Sequence, residues 1–457
     1  MEVSKETEAL LSQIGHTKRQ GLYHAWRHLQ LKDWLKNNIY LHLPAFQSRN
    51  FRLFFSGQTL SLSGTFMTQV TISWLIYTQT GSAWLLGLNG FLQFLPTLVL
   101  APFSGVLSDR WSKRDLLIVV QVLGTVASLT LTTLSFLGLA NFWVLIIFSI
   151  WGGFLKGLDM PVRYAIVIET VDNRDHLNNA IALYSAMLSS SMLIGPAIGG
   201  LLLAKLGANY CFLYDSLSYV VALLTLISMR LRPTLKVDTS GSNTWQKLHE
   251  GFSYIYDVAP IRAILLLLAL NGLFGSAHMA LLPIFASDIL KGGGDTMGFL
   301  SSAGAVGSVI GCLYLSLRRR VLGLEKLMAL CLAAGGIGLI AFALSRQVWL
   351  SLLTLAIIGG AGMLIVSCGN TIVQTLVEDD KRGRVMSLYS LSIIGTLPLS
   401  SLLAGSLAQH IGATNTVIGS GIICLLESIW FARQLPLLTS WIKQKTKQTD
   451  ELSKAAT

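Results

Sequence analysis

Gly105-Val106-Leu107-Ser108-Asp109-Arg110-Trp111-Ser112-Lys113-Arg114 lies between two long apolar runs, 85–107 and 115–138. Four charges in the six residues 109–114 interrupt a chain that is otherwise poor in charge. Apolar runs of that length cross a bilayer, since about 20 residues of helix span its hydrocarbon core. The stretch between them is therefore a short hairpin at the membrane boundary. There an acid and three bases are costly unless they pair with one another or with helix ends.

Working outward, the same alternation of apolar run and polar turn continues along the chain. Its 457 residues are 52% hydrophobic and only 12% charged, with mean hydropathy +0.60. Soluble domains are usually about a quarter charged. About twelve segments can cross as helices: 51–77, 85–107, 115–138, 142–165, 177–204, 209–230, 261–286, 295–317, 324–345, 348–376, 383–408 and 413–434. They are too long, and alternate too little, for barrel strands. The expected fold class is an all-α, multi-pass membrane protein.

The net charge of +11 has a sidedness. With the first span running from inside to outside, one side collects the bases from Lys5 to Arg52, Arg110, Lys113, Arg114, Arg174, Arg230, Arg318 to Arg320, and Lys381 to Arg384. Lys205, Lys291 and Arg346 fall on the other. The positive-inside rule puts the rich side, with both termini, in the cytoplasm. Topology and contact with anionic lipid account for the charge, and nucleic acid is not an expected partner. Cys211, Cys312, Cys331, Cys368 and Cys424 are scattered singly, without metal or disulfide spacing. The N-terminus does not read as a cleaved leader, so the first span is expected to act as an uncleaved insertion signal. No Gly-x-x-x-x-Gly-Lys-Ser/Thr loop for nucleotide phosphates is present. Neither enzyme activity nor a cofactor is expected, and transport would draw on an ion gradient or on the substrate's own.

Residues 1–50 form a basic cytoplasmic segment in which Leu22, Trp26 and Leu29 share one helical face. It reads either as a helix on the membrane surface or as a partly disordered tail. A polar stretch, 231–260, separates six spans (51–230) from six more (261–434), and 435–457 reads as a cytoplasmic tail. A single shift of 205 residues lays Lys113-Arg114 on Arg318-Arg319, Leu183-Tyr184-Ser185 on Leu388-Tyr389-Ser390, and Gly200 on Gly405. The halves therefore read as parallel repeats.

The pattern Gly-x-x-x-Asp-Arg-x-x-Lys-Arg, from Gly105 to Arg114, resembles the signature loop of the major facilitator superfamily, with Ser112 where that family usually has glycine. The second half has Tyr314 near the place of the aspartate. The resemblance implies the major facilitator fold, two pseudo-symmetric six-helix halves. It implies as well that Asp109 faces the start of the eleventh span, Arg382-Gly383-Arg384, and latches the halves in the outward-facing state. Arg110, Lys113 and Arg114 can reach the acidic end of the fourth span at Glu169 and Asp172. Control of topology is the other role open to this loop. Gly195-Pro196-Ala197-Ile198-Gly199-Gly200 resembles the kink of proton-coupled exporters, with Ala186 where the longer motif has another glycine; a plain packing kink is the alternative. Asp159-Met160-Pro161-Val162-Arg163 and Leu75-x-Tyr77-x-x-Thr80-Gly81-Ser82 resemble a bacterial exporter branch that includes the enterobactin exporter and macrolide efflux proteins.

Charged residues inside a membrane are functional candidates by default. Lys156, Asp159 and Arg163 share one face of the fourth span, with the acid one turn from either base. Asp215 in the sixth span has no base within one turn, so it can bind and release a proton as its site opens; a hydrogen bond to a neighbouring helix is its structural alternative. Glu427 and His278 are further proton-coupling candidates. Gln58, Ser61, Thr65 and Gln69 form a polar stripe along the first span, which should face protein or cavity rather than lipid. Gln93, Asn271 and Asn370 would extend it into a substrate cavity. The expected function is export of a small amphiphilic molecule, siderophore or drug-like, from a monomer in the bacterial inner membrane by proton antiport. A lipid or lysolipid flippase on the same fold and a transport-dead receptor or scaffold are the alternatives.

Overall fold

The computed structural model describes residues 43–110, 112–230, 253, 254, 256, 258–318, 322–378 and 381–455, with backbone only for 101–110, 174 and 446–455. Most of the segment 1–50 and of the linker 231–260 therefore lies outside the described residues. Twelve long helices follow: α1 (Arg49–Thr80), α2 (Ala83–Arg110), α3 (Lys113–Phe136), α4 (Phe142–Glu169), α5 (Leu177–Lys205) and α6 (Ala208–Ile227) in the first half. The second half holds α7 (Ala259–Ile289), α8 (Gly294–Leu317), α9 (Leu324–Leu344), α10 (Val348–Leu376), α11 (Arg382–Ile411) and α12 (Ala413–Ala455). Among the described residues, eleven are long and apolar enough to cross a membrane. The twelfth, α1, has 32 residues but is diluted by its polar stripe.

The turns are encoded locally. Ser112, where the superfamily loop usually has glycine, caps α3: its hydroxyl accepts from the Asp115 amide at 3.1 Å. Asn141 caps α4 in the same way. Gly207, Gly323 and Gly412 supply the positive φ (90°, 88° and 84°) of the turns before α6, α9 and α12. Two helices are interrupted in the membrane. α7 widens into π turns at Asn271–Gly275 and Phe285–Ile289, and α11 breaks between Ile394 and Leu397, just ahead of Pro398. One boundary differs from expectation. The tail expected at 435–457 begins inside α12, where Leu438 and Ile442 are fully buried and Thr439 donates to Glu325 at 3.0 Å. Residues 435–445 thus belong to the second bundle, held there by apolar packing.

Two helix pairs make the most extensive joins between the halves, α2 with α11 and α5 with α8. Both approach through glycine on glycine. A Cβ on Gly200 would stand 2.7 Å from the Cα of Gly298, and one on Gly405 would stand 2.5 Å from the Cα of Gly87. Gly200 and Gly405 are the pair that the 205-residue shift superimposes. The two ends of the molecule differ. At the end away from the termini (the far end), one apolar core runs across both halves, from Val70, Ile76 and Leu86 to Phe285, Met297 and Ala408. At the termini end the core is split. Phe51, Leu117, Ile166 and Tyr184 belong to a first-half cluster, and Ile264, Met328, Ile372 and Tyr389 to a separate second-half one.

This packing makes glycine substitutions unequal. A Cβ at Gly298 would meet the Pro196 carbonyl oxygen at 2.4 Å, whereas one at Gly362 meets nothing within 4 Å. Gly298→Ala is expected to destabilise the purified protein by about 1–3 kcal/mol through overpacking. Gly362→Ala is expected to be neutral or to stabilise by up to about 1 kcal/mol, the helix preference for alanine. Thermal unfolding of both in the same detergent checks this; equal melting temperatures would contradict it.

Candidate functional site

The charged hairpin is anchored mainly within the first half. Lys113 Nζ lies 2.8 Å from Glu169 Oε1, which joins the start of α3 to the end of α4. Arg114 does not reach the acidic end of α4. It donates to the carbonyls of Leu226 and Ile227, at 3.3 and 2.8 Å, and so neutralises the negative C-terminus of α6. The side chains of Asp109 and Arg110 lie outside the described residues, and of Gly105 only the backbone course is described. Arg384 lies in the first turn of α11, as expected. Just before it, the hydrogen bond and charge of Lys381 hold the Glu378 carboxyl below the usual carboxylate range.

On α4 the expected face is formed. Arg163 Nε donates to Asp159 Oδ2, and the two side chains are 5% and 13% exposed. Lys156 Nζ sits over the Phe94 ring of α2, 5.4 Å from its centroid. Asp159 Oδ1 and Arg163 Nη1 are buried without a protein partner. The exporter-type kink on α5 serves two neighbours. Gly195 and Gly199 admit α1 at Ser63 and Met67, while Pro196 and Gly200 admit α8 at Gly298.

The polar stripe of α1 turns mostly into the first half, not into the cleft. Gln58 and Ser61 are fully buried, and Gln58 Oε1 accepts from Gln121 Nε2 of α3 at 3.5 Å. Thr65 Oγ1 lies 3.4 Å from the Tyr219 hydroxyl of α6. Lipid excludes these side chains and the facing helices are polar there, so the cavity role expected for Gln58 and Ser61 is corrected. Gln69, Gln93, Asn271 and Asn370 are half-buried. The structure brings Asn370 to Gln374 (2.7 Å) rather than to the α1 stripe.

Asp215 is enclosed by α1, α3 and α6. It is 4% exposed, and its Oδ2 accepts from Ser128 of α3 at 2.9 Å. Gly64 of α1 makes room for it: a Cβ there would lie 2.7 Å from Asp215 Oδ1. That oxygen has no protein partner. Tyr219, one turn along α6, lies within electrostatic reach of Asp215 on one side and of Asp159 and Arg163 on the other. Glu427 of α12 is 5% exposed with both carboxylate oxygens unpartnered. His278 Nδ1 bonds the Gly275 carbonyl at 2.9 Å in the π-widened part of α7, its ring edge-on to Phe342.

Sequence reasoning missed the bonds that close the far end. Tyr77 of α1 donates to Asp288 of α7 at 2.5 Å, across the two halves. Gln409 of α11 accepts from Ser82 and from the Trp84 amide of α2, at 3.3 and 3.2 Å. Tyr77 stands in the exporter-like stretch Leu75–Ser82, but that resemblance names no partner for it; its place at the end of an outward-running span was the signal for an end contact. The polar column of α3 was missed as well, although Gln121, Thr125, Ser128, Thr132 and Ser135 share one helical face in the sequence.

Residues 42–452 match the family described as transmembrane secretion effector. The staphyloferrin A transporter of Staphylococcus aureus is 26% identical over 384 residues, 83% of this chain and 95% of that protein. Macrolide efflux protein A of Streptococcus pyogenes is 25% identical over 385 residues, 82% of this chain and 94% of that protein. The solved structure of a bacterial homologue of the human lysosomal transporter Spinster, inward-facing and unoccupied, has TM-score 0.64 at 14% identity, covering 87% of this chain and 97% of that one. That likeness shows the fold. The family match takes in both helical halves and the hairpin between α2 and α3, so the chain belongs to the transmembrane secretion effector family, transporters of the major facilitator superfamily and not enzymes.

Proposed function

We propose that this transporter exports a small amphiphilic solute, siderophore or drug-like, across the bacterial inner membrane in exchange for protons, with both termini in the cytoplasm. The observation that carries the proton coupling is Asp215. It is a carboxylate buried in the first half with hydroxyl neighbours and no ion-pair partner among the described residues. A charged group in a membrane is kept at a cost of several kcal/mol unless it is neutralised, and proton binding neutralises it without a resident base. Asp159 differs, because Arg163 holds it and Lys156 lies one turn away. Asp159, Lys156 and Arg163 make a polar patch on α4 that binds substrate, and Tyr219 links it to Asp215.

The two kinds of core support a reading of alternating access. The far end is sealed by shared apolar packing and by the Tyr77–Asp288 and Gln409 bonds, while the termini end has a core for each half. Solute enters the cleft from the cytoplasm in this arrangement. Opening the far end requires those bonds to break and α7 to bend, for which its π turns are suited. Asp109 and the start of α11 close the opposite end in the other state. The named relatives support the direction and the solute class, since one is called a staphyloferrin A transporter and another a macrolide efflux protein.

The test is transport of staphyloferrin A and of a macrolide in inverted membrane vesicles under an imposed pH step. Asp215→Asn is expected to cut pH-driven transport by about tenfold or more, the rate equivalent of a buried bond to a charged group. Solute exchange at equal pH should persist in that variant. Transport that ignores the pH step in the wild type defeats proton coupling. A pH response that survives Asp215→Asn defeats this residue and turns attention to Asp159, Glu427 and His278.

Tyr77→Phe removes a hydrogen bond to a carboxylate, worth about 1.5–3 kcal/mol. The variant is expected to move the population towards the far-open state by roughly ten- to a hundredfold. Spin-label distances between the far ends of α1 and α7 check this, and an unchanged distance distribution would show that the bond does not hold the gate.

A further inference from the structure

Asp215 lies seven residues into α6 from Ala208, roughly 10 Å from the far end at 1.5 Å per residue. Between the halves, that end is filled by the shared apolar core. Inside the first half it is polar. Ser128 Oγ, which donates to Asp215, is 3.1 Å from Ser216 Oγ, and Ser216 Oγ is 2.7 Å from Thr132 Oγ1. One turn further out, Ser135 donates to Asn209 Oδ1 at 2.5 Å, and Asn209 is partly exposed at the mouth of α6. Thr132 and Ser216 also donate to carbonyls of their own helices, Ser128 and Phe212; Thr130 and Thr133, whose bonds are to their own helix carbonyls alone, face outward.

A hydroxyl accepts on one side while donating on the other, so contiguous hydroxyls can pass a proton along. At the inner end Asp215 Oδ1 and Thr68 Oγ1 approach each other from α6 and α1 without completing a full hydrogen bond. Few titratable groups compete. Residues 58–72 of α1 and 116–136 of α3 contain none. Tyr219, with Asp159 and Arg163 beyond it, faces Asp215 from the α4 side. Tyr214, on the same helix, is engaged with Ser63 at 3.1 Å.

Resting on the reading of Asp215 as the proton-binding carboxylate, we propose that the column Ser128, Ser216 and Thr132, opening at Ser135 and Asn209, carries protons to Asp215 from the far face. Each transfer passes one proton from a hydroxyl or water to the next and restores the donor from behind; only the carboxylate gains an O–H bond. The route is separate from the cleft, so proton entry and solute entry need not share an opening.

The test uses the full chain in proteoliposomes sorted by orientation, with protons as the probe. After a pH jump in the bath, infrared spectroscopy follows the carboxyl band that Asp215→Asn removes. From the far face, Thr132→Val and the combined Ser128→Ala/Thr132→Val/Ser216→Ala variant are expected to respond about tenfold more slowly than wild type. Thr132→Ser should restore the rate, and Thr133→Val should not alter it. From the termini face all should match wild type. Thr132→Val is close to isosteric, so it carries the test if the combined variant does not insert. Wild-type rates from the far face in a well-inserted Thr132→Val and in Ser128→Ala overturn the route and leave Asp215 in place. A spectrum in which Asp215→Asn removes no band overturns the Asp215 reading and the route with it.

Discussion

Hydrocarbon offers no water, so each polar group inside a membrane must find a protein partner or remain costly. That constraint organises the first half. α1 carries too many glutamines, serines and threonines to face lipid, and it is accordingly packed mainly between α5 and α6. Its stripe meets the matching stripe of α3 and the polar face of α6, and Asp215 sits where the three converge. The acid is tolerated because hydroxyls surround it, and the hydroxyls line up because the acid and the lipid leave them nowhere else to go. The lipid-facing sides are apolar in turn: Val126, Trp143 and Ile147 are largely exposed at the surface.

A second constraint acts between the halves. Helices that must separate and rejoin cannot interlock through long side chains, and glycine gives close backbone contact that leaves little to disentangle. The α5–α8 and α2–α11 pairs both use it. They bring the halves together backbone to backbone, while the far-end core and its polar bonds join them at one end. The closure is light: one tyrosine on an aspartate and one glutamine bridging a serine and an amide. Bonds of this kind contribute about 1–3 kcal/mol each.

The charged hairpin shows how a motif and its surroundings divide the work. Ser112 departs from the usual glycine yet suits its place, because an N-cap hydroxyl does there what α3 needs. Lys113 and Arg114 are adjacent in sequence but serve different partners, the acid that ends α4 and the bare carbonyls that end α6. Nothing in the order of residues separates those two fates. They are settled by which helix end lies within reach once the bundle has packed.

Much of this protein was legible beforehand. Span number, the two-fold repeat and the family followed from apolar run length, a constant 205-residue shift and the quoted loops, all of which are local or periodic properties of the chain. The buried acids were visible as charges in apolar runs, and the α4 trio as a helical face. What the sequence could not decide was direction around each helix. Periodicity marks a polar stripe but not which neighbour it meets, so the α1 stripe was expected to face protein or cavity, and most of it lies inside the first half. The far-end bonds of Tyr77 and Gln409, and the burial of Leu438 and Ile442 beyond the expected end of α12, join residues remote in sequence or follow from packing against other helices. Such contacts depend on helix rotation and on distances across the bundle, which arise only when twelve helices pack together and the polar groups left over have to find one another.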